Sequence, residues 1–370
     1  MKLVKNWFFW AIIVSGVIII TACDNGKTTL GHAHDWDLWV LIPETEEETA
    51  TCRNCSEIGE RSIYHWFDSS GGSFGNNFRI DTVGQLYGFA RIVNGTRANG
   101  NEAYDFAGKS VNLIADIDLS QIENWTPIGR RTFGTDAIDL QFSGTFNGNS
   151  HIVSNMSIRQ RGAGGSGLFG NISNATIRNI GIVDASIIIA NGISGGLVGV
   201  VTDDSSIENV FVTGYVSSDS QFIGGIVGLF EGNNISIIRS WSTASVSGRS
   251  LNGGIVGYVW GSDIVIENNA ALNPTITGTE IHTPNRNGRI TTGTASFYNN
   301  IAWEGMEAIG LPFGDDNSEW FENGESISTV AINADGTLGG RFSETVWTTE
   351  NGRLPGLGGR TMPMPEHLRQ

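Results

Sequence analysis

The chain has 370 residues, 50 of them Gly, with 39% hydrophobic and 16% charged residues. Lys and Arg number 22 against 38 Asp and Glu, a net charge of −16, and the Lys are confined to positions 2, 5, 27 and 109. That balance excludes the basic footprint needed to displace counterions from phosphate, so no nucleic-acid partner is expected. So much Gly also argues against a helical protein.

Lys2 and Lys5 precede an apolar run from Trp7 to Ile20, which meets Ile20-Thr21-Ala22-Cys23. A run of about 14 residues is too short to span a bilayer core, and with its basic start it reads as a secretory signal. The aliphatic and small residues before Cys23 fit a bacterial lipobox. Residues 1–22 are therefore predicted to be a lipoprotein signal peptide, and Cys23 the acylated (palmitate-type) residue. The lipid would hold the protein on the cell envelope, at an outer membrane or cell surface, without a transmembrane helix.

Residues 23–75 read as a tether and a small Cys/His-containing segment, closed by a flexible joint at Ser69-Ser70-Gly71-Gly72-Ser73. Cys52-Arg53-Asn54-Cys55 comes after His32 and His34. Cys-x-x-Cys can hold a structural zinc when His ligands join it. In an exported protein the same spacing also closes a short disulfide. The residues leave both open: a Cys52–Cys55 disulfide, or zinc on His32, His34, Cys52 and Cys55.

Residues 76–360 carry the fold. Thr82-Val83-Gly84-Gln85 fits a capping box, and Val83, Leu86, Phe89, Ala90 and Val93 fall at helical spacing. This predicts a short capping helix ending near Asn94-Gly95, laid over the first coil of a stack. Four marks then recur at 29-residue intervals: Ser166-Gly167-Leu168-Phe169-Gly170, Gly195-Gly196-Leu197-Val198-Gly199, Gly224-Gly225-Ile226-Val227-Gly228 and Gly253-Gly254-Ile255-Val256-Gly257. Short alternating segments lie between them, such as Ile177, Ile180 and Ile182. Units this small are stable only when stacked, strand upon strand at about 4.8 Å. Their Gly residues suit either corners of positive φ or places where successive coils touch.

These marks resemble the GLUG motif, a repeat of bacterial surface proteins and of accessory regions in IgA-cleaving metallopeptidases. Phe142 to Met156, Leu113 to Leu119 and Trp125-Thr126-Pro127-Ile128-Gly129 look like the coils that introduce such repeats, so the resemblance covers roughly residues 80–355. It implies an all-β protein, a right-handed parallel β-helix, and an architectural motif with no catalytic residues. Ser166 departs from the pattern and puts that one corner in doubt. Val346 to Leu354 reads as a final strand and turn, and residues 361–370 as a flexible tail.

No H-E-x-x-H, G-x-S-x-G, phosphate loop or dinucleotide fingerprint occurs. Asp116 and Asp118 share a strand face, and Asp203 and Asp204 are adjacent, but no Arg groups with them in sequence. No catalytic residue is assigned. Trp241 and Trp260 are the candidate sugar platforms, with packing under a turn as the competing role. The chain is thus expected to be a lipid-anchored, adhesin-like envelope protein whose β-helical face binds a host protein or glycan. The alternative is a carbohydrate-active β-helix enzyme, a polysaccharide lyase or glycosidase, which requires three or more Asp, Glu or Arg side chains converging in one groove.

Overall fold

A computed structural model of the protein describes residues 34–42, 45–98, 102–132, 139–160, 164–280, 286–314, 322–343 and 345–369. The proposed signal peptide, Cys23 and His32 lie outside the described residues. The chain divides into two compact units, with the boundary between Ser62 and Ile63.

The described part of the first unit is a three-stranded antiparallel sheet of Val40–Ile42, Glu47–Thr51 and Ile58–Ser62. Its buried apolar residues are few: Leu41, Ala50 and Cys52. The Glu48 carboxylate is fully buried, and Arg61 donates to it at 3.0 Å.

The second unit begins at Ile63, so Ser69 to Ser73 lies inside it and not at its edge. Helix α1 (His65–Ser69) buries Trp66 and Phe67. Helix α2 (Val83–Val93) forms where the sequence predicts it: Thr82 accepts from the Gln85 N–H at 3.2 Å, and the Gln85 side chain reaches back to the N–H of Asp81 at 2.9 Å. Its apolar face inserts Phe89 among Phe106, Phe142, Phe146 and Phe169, with ring centroids 5.1–6.4 Å away. An aromatic plug thus closes the N-terminal end of the stack, where unpaired strand edges would otherwise meet water.

The remainder is a parallel β-solenoid of about seven turns, and few helices accompany it. Phe78, Val111, Phe146, Ile177, Ile207, Ile237, Ile266 and Phe297 are paired successively in parallel register and form one inward column. Alternation along each strand makes the column: Ile177, Ile207 and Ile237 are fully buried while their flanking residues reach solvent or the coil edges.

The corners are not where the Gly content suggests. Positive φ is supplied by Asn174, Asp204, Asn234 and Asp263 at one corner and by Asn179, Asn209, Arg239, Asn268 and Asn299 at the next, all near +50°. Asn and Asp tolerate this region because their short polar side chains can hydrogen-bond locally. Here they also bond from coil to coil. Asn179 donates to Asn147 at 3.2 Å, Asn209 to Asn179 at 3.0 Å and Arg239 to Asn209 at 3.1 Å. A second, buried ladder joins the Ser240 N–H to Asn269 and the Asn269 N–H to Asn300, each at 3.0 Å.

The repeat glycines serve the other purpose, close approach. None of Gly195, Gly196, Gly199, Gly224, Gly225, Gly228, Gly253, Gly254 and Gly257 has a positive φ. A Cβ on Gly225 would stand 2.2 Å from the Gly254 carbonyl, and one on Gly224 would stand 1.9 Å from the Val227 carbonyl. Gly167 and Gly170 are confined likewise, by the Gly195 and Gly129 carbonyls. The first mark does slip. Ser166 pairs with Ser194, 28 residues on, whereas Phe169 pairs with Val198, 29 residues on. A fifth mark escapes the sequence pattern: Asn287–Gly288 pairs with Asn252–Gly253, and Arg289 stands where the second Gly is expected.

The C-terminal segment is the main departure. It is not a last coil with a mobile tail. Helix α3 (Thr329–Asp335) and two small antiparallel pairs, Trp347–Thr348 with Gly356–Leu357 and Arg353–Leu354 with Met362–Pro363, fold back along the flank of the solenoid. Ile332, Leu338, Phe342, Trp347, Leu354, Leu357, Met364 and Leu368 pack there on the outward residues Phe211, Trp241, Ala270, Leu272 and Ile301. Residues 361–369 are held, not mobile: Leu368 is fully buried and His367 Nε2 meets the Leu272 carbonyl oxygen at 2.8 Å.

Candidate functional site

Where the C-terminal segment does not cover the solenoid, a groove opens between the sheet carrying Val198–Thr202, Val227–Ile238 and Val256–Glu267 and the narrow sheet of the repeat marks. It encloses about 300 Å³. Strand alternation builds it. Phe230 and Val259 turn inward, so Leu229, Glu231 and Trp260 turn outward, with Glu231 and Trp260 directly paired on adjacent coils. Ile193 and Leu229 form an apolar floor, and Phe222, itself at φ +67°, stacks on Tyr258 at 5.1 Å. Asn191, Ser220, Gln221 and Glu231 supply polar groups at the rim. Arg131 holds the Glu231 carboxylate at 2.9 Å, and Gln221 is steadied by donating to Ser250 at 3.0 Å. Trp260, the large aromatic of this groove, is 65% exposed.

Of the two Trp singled out in the sequence, only Trp260 presents a face to solvent. Trp241 is fully buried, stacked on Phe211 at 4.8 Å and donating its indole N–H to the Pro355 carbonyl at 3.1 Å. It points outward from its strand, as a platform would, but the C-terminal segment covers it. Sequence reasoning does not single out the remaining groove residues. Tyr258-Val259-Trp260, an aromatic on each side of a core residue, is the available signal for an outward apolar surface.

The acidic candidates are absorbed by structure. Asp203 accepts from the Asn233 N–H at 2.8 Å and Asp204 from Asn234 at 2.7 Å, both one coil on. Asp118 accepts from the Ser120 N–H at 2.9 Å and from Asn155 at 2.9 Å, which together hold its carboxyl below the usual range. Asp116 is tied to the first coils and to the far end of the chain. Partial burial pushes its pKa up, but hydrogen bonds from Arg360, the Ile152 N–H and His151 outweigh this and hold it at about 2. Arg360 also donates to the Ser150 carbonyl at 2.9 Å, latching the C-terminal segment onto the N-terminal coils.

A depressed carboxylate stabilises the fold above its unfolded pKa and loses that contribution as pH falls through the folded value. Between pH 4 and 2 the unfolded Asp116 takes up its proton while the folded one still resists. Asp116→Asn is therefore expected to flatten the decline in thermal stability over that window. The difference at neutral pH is on the order of 1 kcal/mol or less for a pair this exposed. Parallel pH–melting curves for wild type and variant would reject the latch if they coincided in shape.

A second depression, of about 440 Å³, is lined by Tyr104, Asp105, Asp139 and Gln141. Both acids are engaged there, Asp105 by the Ala107 N–H and Asp139 by Asn171.

In the first unit, Cys52 is buried and Cys55 exposed. Their sulfurs and a ring nitrogen of His34 all lie within 4.8 Å of one another. No helix among the described residues is long and apolar enough to cross a membrane.

These features define a parallel β-solenoid with a lateral groove that has an apolar floor and an exposed aromatic wall. No family model matches the chain. A stretch of 160 residues, 42% of the chain, is 35% identical to Halomucin of Haloquadratum walsbyi, and it spans only 2% of that much longer protein. The fold is similar to the crystal structure of a "putative immunoglobulin A1 protease" from Bacteroides ovatus, with a TM-score of 0.51 over 77% of this chain and 93% of that one. At 19% identity that likeness concerns the fold.

Proposed function

We propose that the protein is an envelope-displayed binding protein, anchored through an acylated Cys23, whose Trp260 groove takes a neutral glycan. The observation that carries this reading is the composition of the groove: an exposed indole over an apolar floor, rimmed by Gln221, Asn191, Ser220 and Glu231. The C–H face of a sugar ring is apolar and its edge is hydroxylated, so such a mixture meets both sides of it. A neutral sugar suits the site better than an acidic one. Glu231 is the carboxylate of the rim, and the chain as a whole carries −16. The stretch shared with Halomucin fits a protein displayed outside the cell. With the acidic candidates engaged in coil-to-coil bonds, binding without turnover is favoured over carbohydrate-active catalysis.

The test is the Cys23→Ser protein on an array carrying neutral glycans, acidic glycans and extracellular host proteins. Neutral glycans should be retained, with little change as salt rises, since no ion pair to the ligand is involved. Retention by host proteins alone would redirect the reading to protein adhesion.

A further inference from the structure

The first unit holds a feature that the glycan groove does not explain. Its described residues bury almost no apolar side chain beyond Leu41, Ala50 and Cys52. Units this small are ordinarily stapled by disulfides or a metal. The residues that could staple it are already gathered. Cys52 comes directly after the strand Glu47–Thr51 and is bridged to Trp36 across the sheet. The chain then turns back on itself: the Ser56 N–H donates to the Cys52 carbonyl at 2.9 Å, and Ser56 takes φ +61°. That turn returns Cys55 to the side of Cys52, where the Glu57 N–H points at its sulfur. His34 enters from the other direction, its ring stacked on Trp36 at 4.8 Å, and brings Nδ1 to 3.5 Å from the Cys55 sulfur.

We propose that His34 Nδ1 and the Cys52 and Cys55 thiolates bind one Zn²⁺. Distance, donor chemistry and a neighbouring carboxylate all point to it. Zinc takes thiolate at about 2.3 Å and imidazole at about 2.0–2.1 Å, so tetrahedral ligands of these two kinds stand about 3.6 Å apart. The observed 3.5 Å between Cys55 and His34 matches that spacing, and with all three donor atoms within 4.8 Å of one another, binding draws the remaining pairs in by about 1 Å. The donor set, two soft sulfurs and one imidazole, selects zinc over calcium or magnesium. The second nitrogen of His34 lies 3.6 Å from the Glu57 carboxylate. Closing to hydrogen-bond distance, a carboxylate behind a ligating imidazole takes the Nε2 proton's hydrogen bond and leaves Nδ1 for the metal. Binding converts two thiols to thiolates and releases up to two protons to solvent, with no change of oxidation state. The competing chemistry for the same sulfurs is the Cys52–Cys55 disulfide, and the experiment separates them.

The full-length protein is purified under reducing conditions with Zn²⁺ present and dialysed, and its metal and thiols are counted. About one equivalent of zinc is expected, and Co²⁺ in its place should give thiolate-to-cobalt charge-transfer absorption. Cys55→Ser should reduce retained zinc at least tenfold. Because that variant could also unfold the small sheet, Glu57→Gln provides the second arm. It keeps all three ligands and should weaken zinc affinity by about 10- to 100-fold with full stoichiometry at saturating metal. Either of two results overturns the proposal: reduced thiols with no zinc retained, or a Cys52–Cys55 disulfide by mass spectrometry in protein taken directly from the cell envelope.

Discussion

Replacing Gly225 by Val is expected to destabilise the solenoid by about 3 kcal/mol or more, at the upper end of what an overpacked core site costs. The first added carbon would stand 2.2 Å from the Gly254 carbonyl oxygen and 2.4 Å from the Ser242 hydroxyl. The carbonyl is backbone of the next coil and cannot swing aside. The clash can be relieved only by separating coils that the Gly225 N–H bond to Gly253, at 3.2 Å, and the flanking ladders hold together. Calorimetry should show the melting temperature lowered by roughly 6 °C or more, with Gly225→Ala intermediate. Because this Gly has no positive φ, steric approach is the whole of its requirement. An unchanged melting temperature for the Val variant would mean that the coils do not touch there.

The second large effect is expected at Trp241. Truncation to Ala removes a fully buried indole, its stacking on Phe211 and its hydrogen bond to Pro355. The cavity and the lost transfer energy together should cost about 3–5 kcal/mol. Its distribution should be uneven. Trp241 lies on the outside of its coil, so the inward column survives while the C-terminal segment loses its anchor. Limited proteolysis should cut the variant within residues 337–369 and leave a resistant solenoid fragment. The exposed Trp260, changed to Ala, should shift stability by no more than about 0.5 kcal/mol. Equal resistance of wild type and Trp241→Ala in the C-terminal segment would be incompatible with the packing described.

The contrast between these two tryptophans shows how far the sequence is legible. The sequence offers both as candidate sugar platforms, and nothing local distinguishes them. What separates them is the C-terminal segment, distant in sequence from both, which covers one and leaves the other bare. The helix α2, its cap and the stacked repeats are legible because they rest on local spacing: Thr82 to Gln85, and Gly marks at constant intervals. The choice between positive φ and close approach for those Gly residues is not, because it depends on where the next coil passes. Nor is Arg289 visible as part of a fifth mark. It departs from the Gly pattern and instead fills the space near the C-terminal end, where burial lowers its pKa to about 10 and its guanidinium donates to Ser326 at 3.0 Å and to the Trp303 carbonyl at 3.1 Å. The C-terminal segment departs from expectation because Pro-rich, polar stretches at chain ends are usually mobile. Here Met364 and Leu368 supply enough apolar surface to hold it.

Titration calorimetry on wild type and Trp260→Ala decides whether the groove beside Trp260 is the binding surface. The probe is the neutral glycan retained best on the array, and both proteins should show the same melting temperature. Wild type should bind one equivalent and leave the glycan chemically unchanged. The Ala variant, still folded, should bind at least tenfold more weakly, since stacking on the indole is its main loss. Equal affinity of the two proteins would rule out the groove as the binding surface, and release of reducing or unsaturated sugar products at catalytic turnover would rule out binding without chemistry.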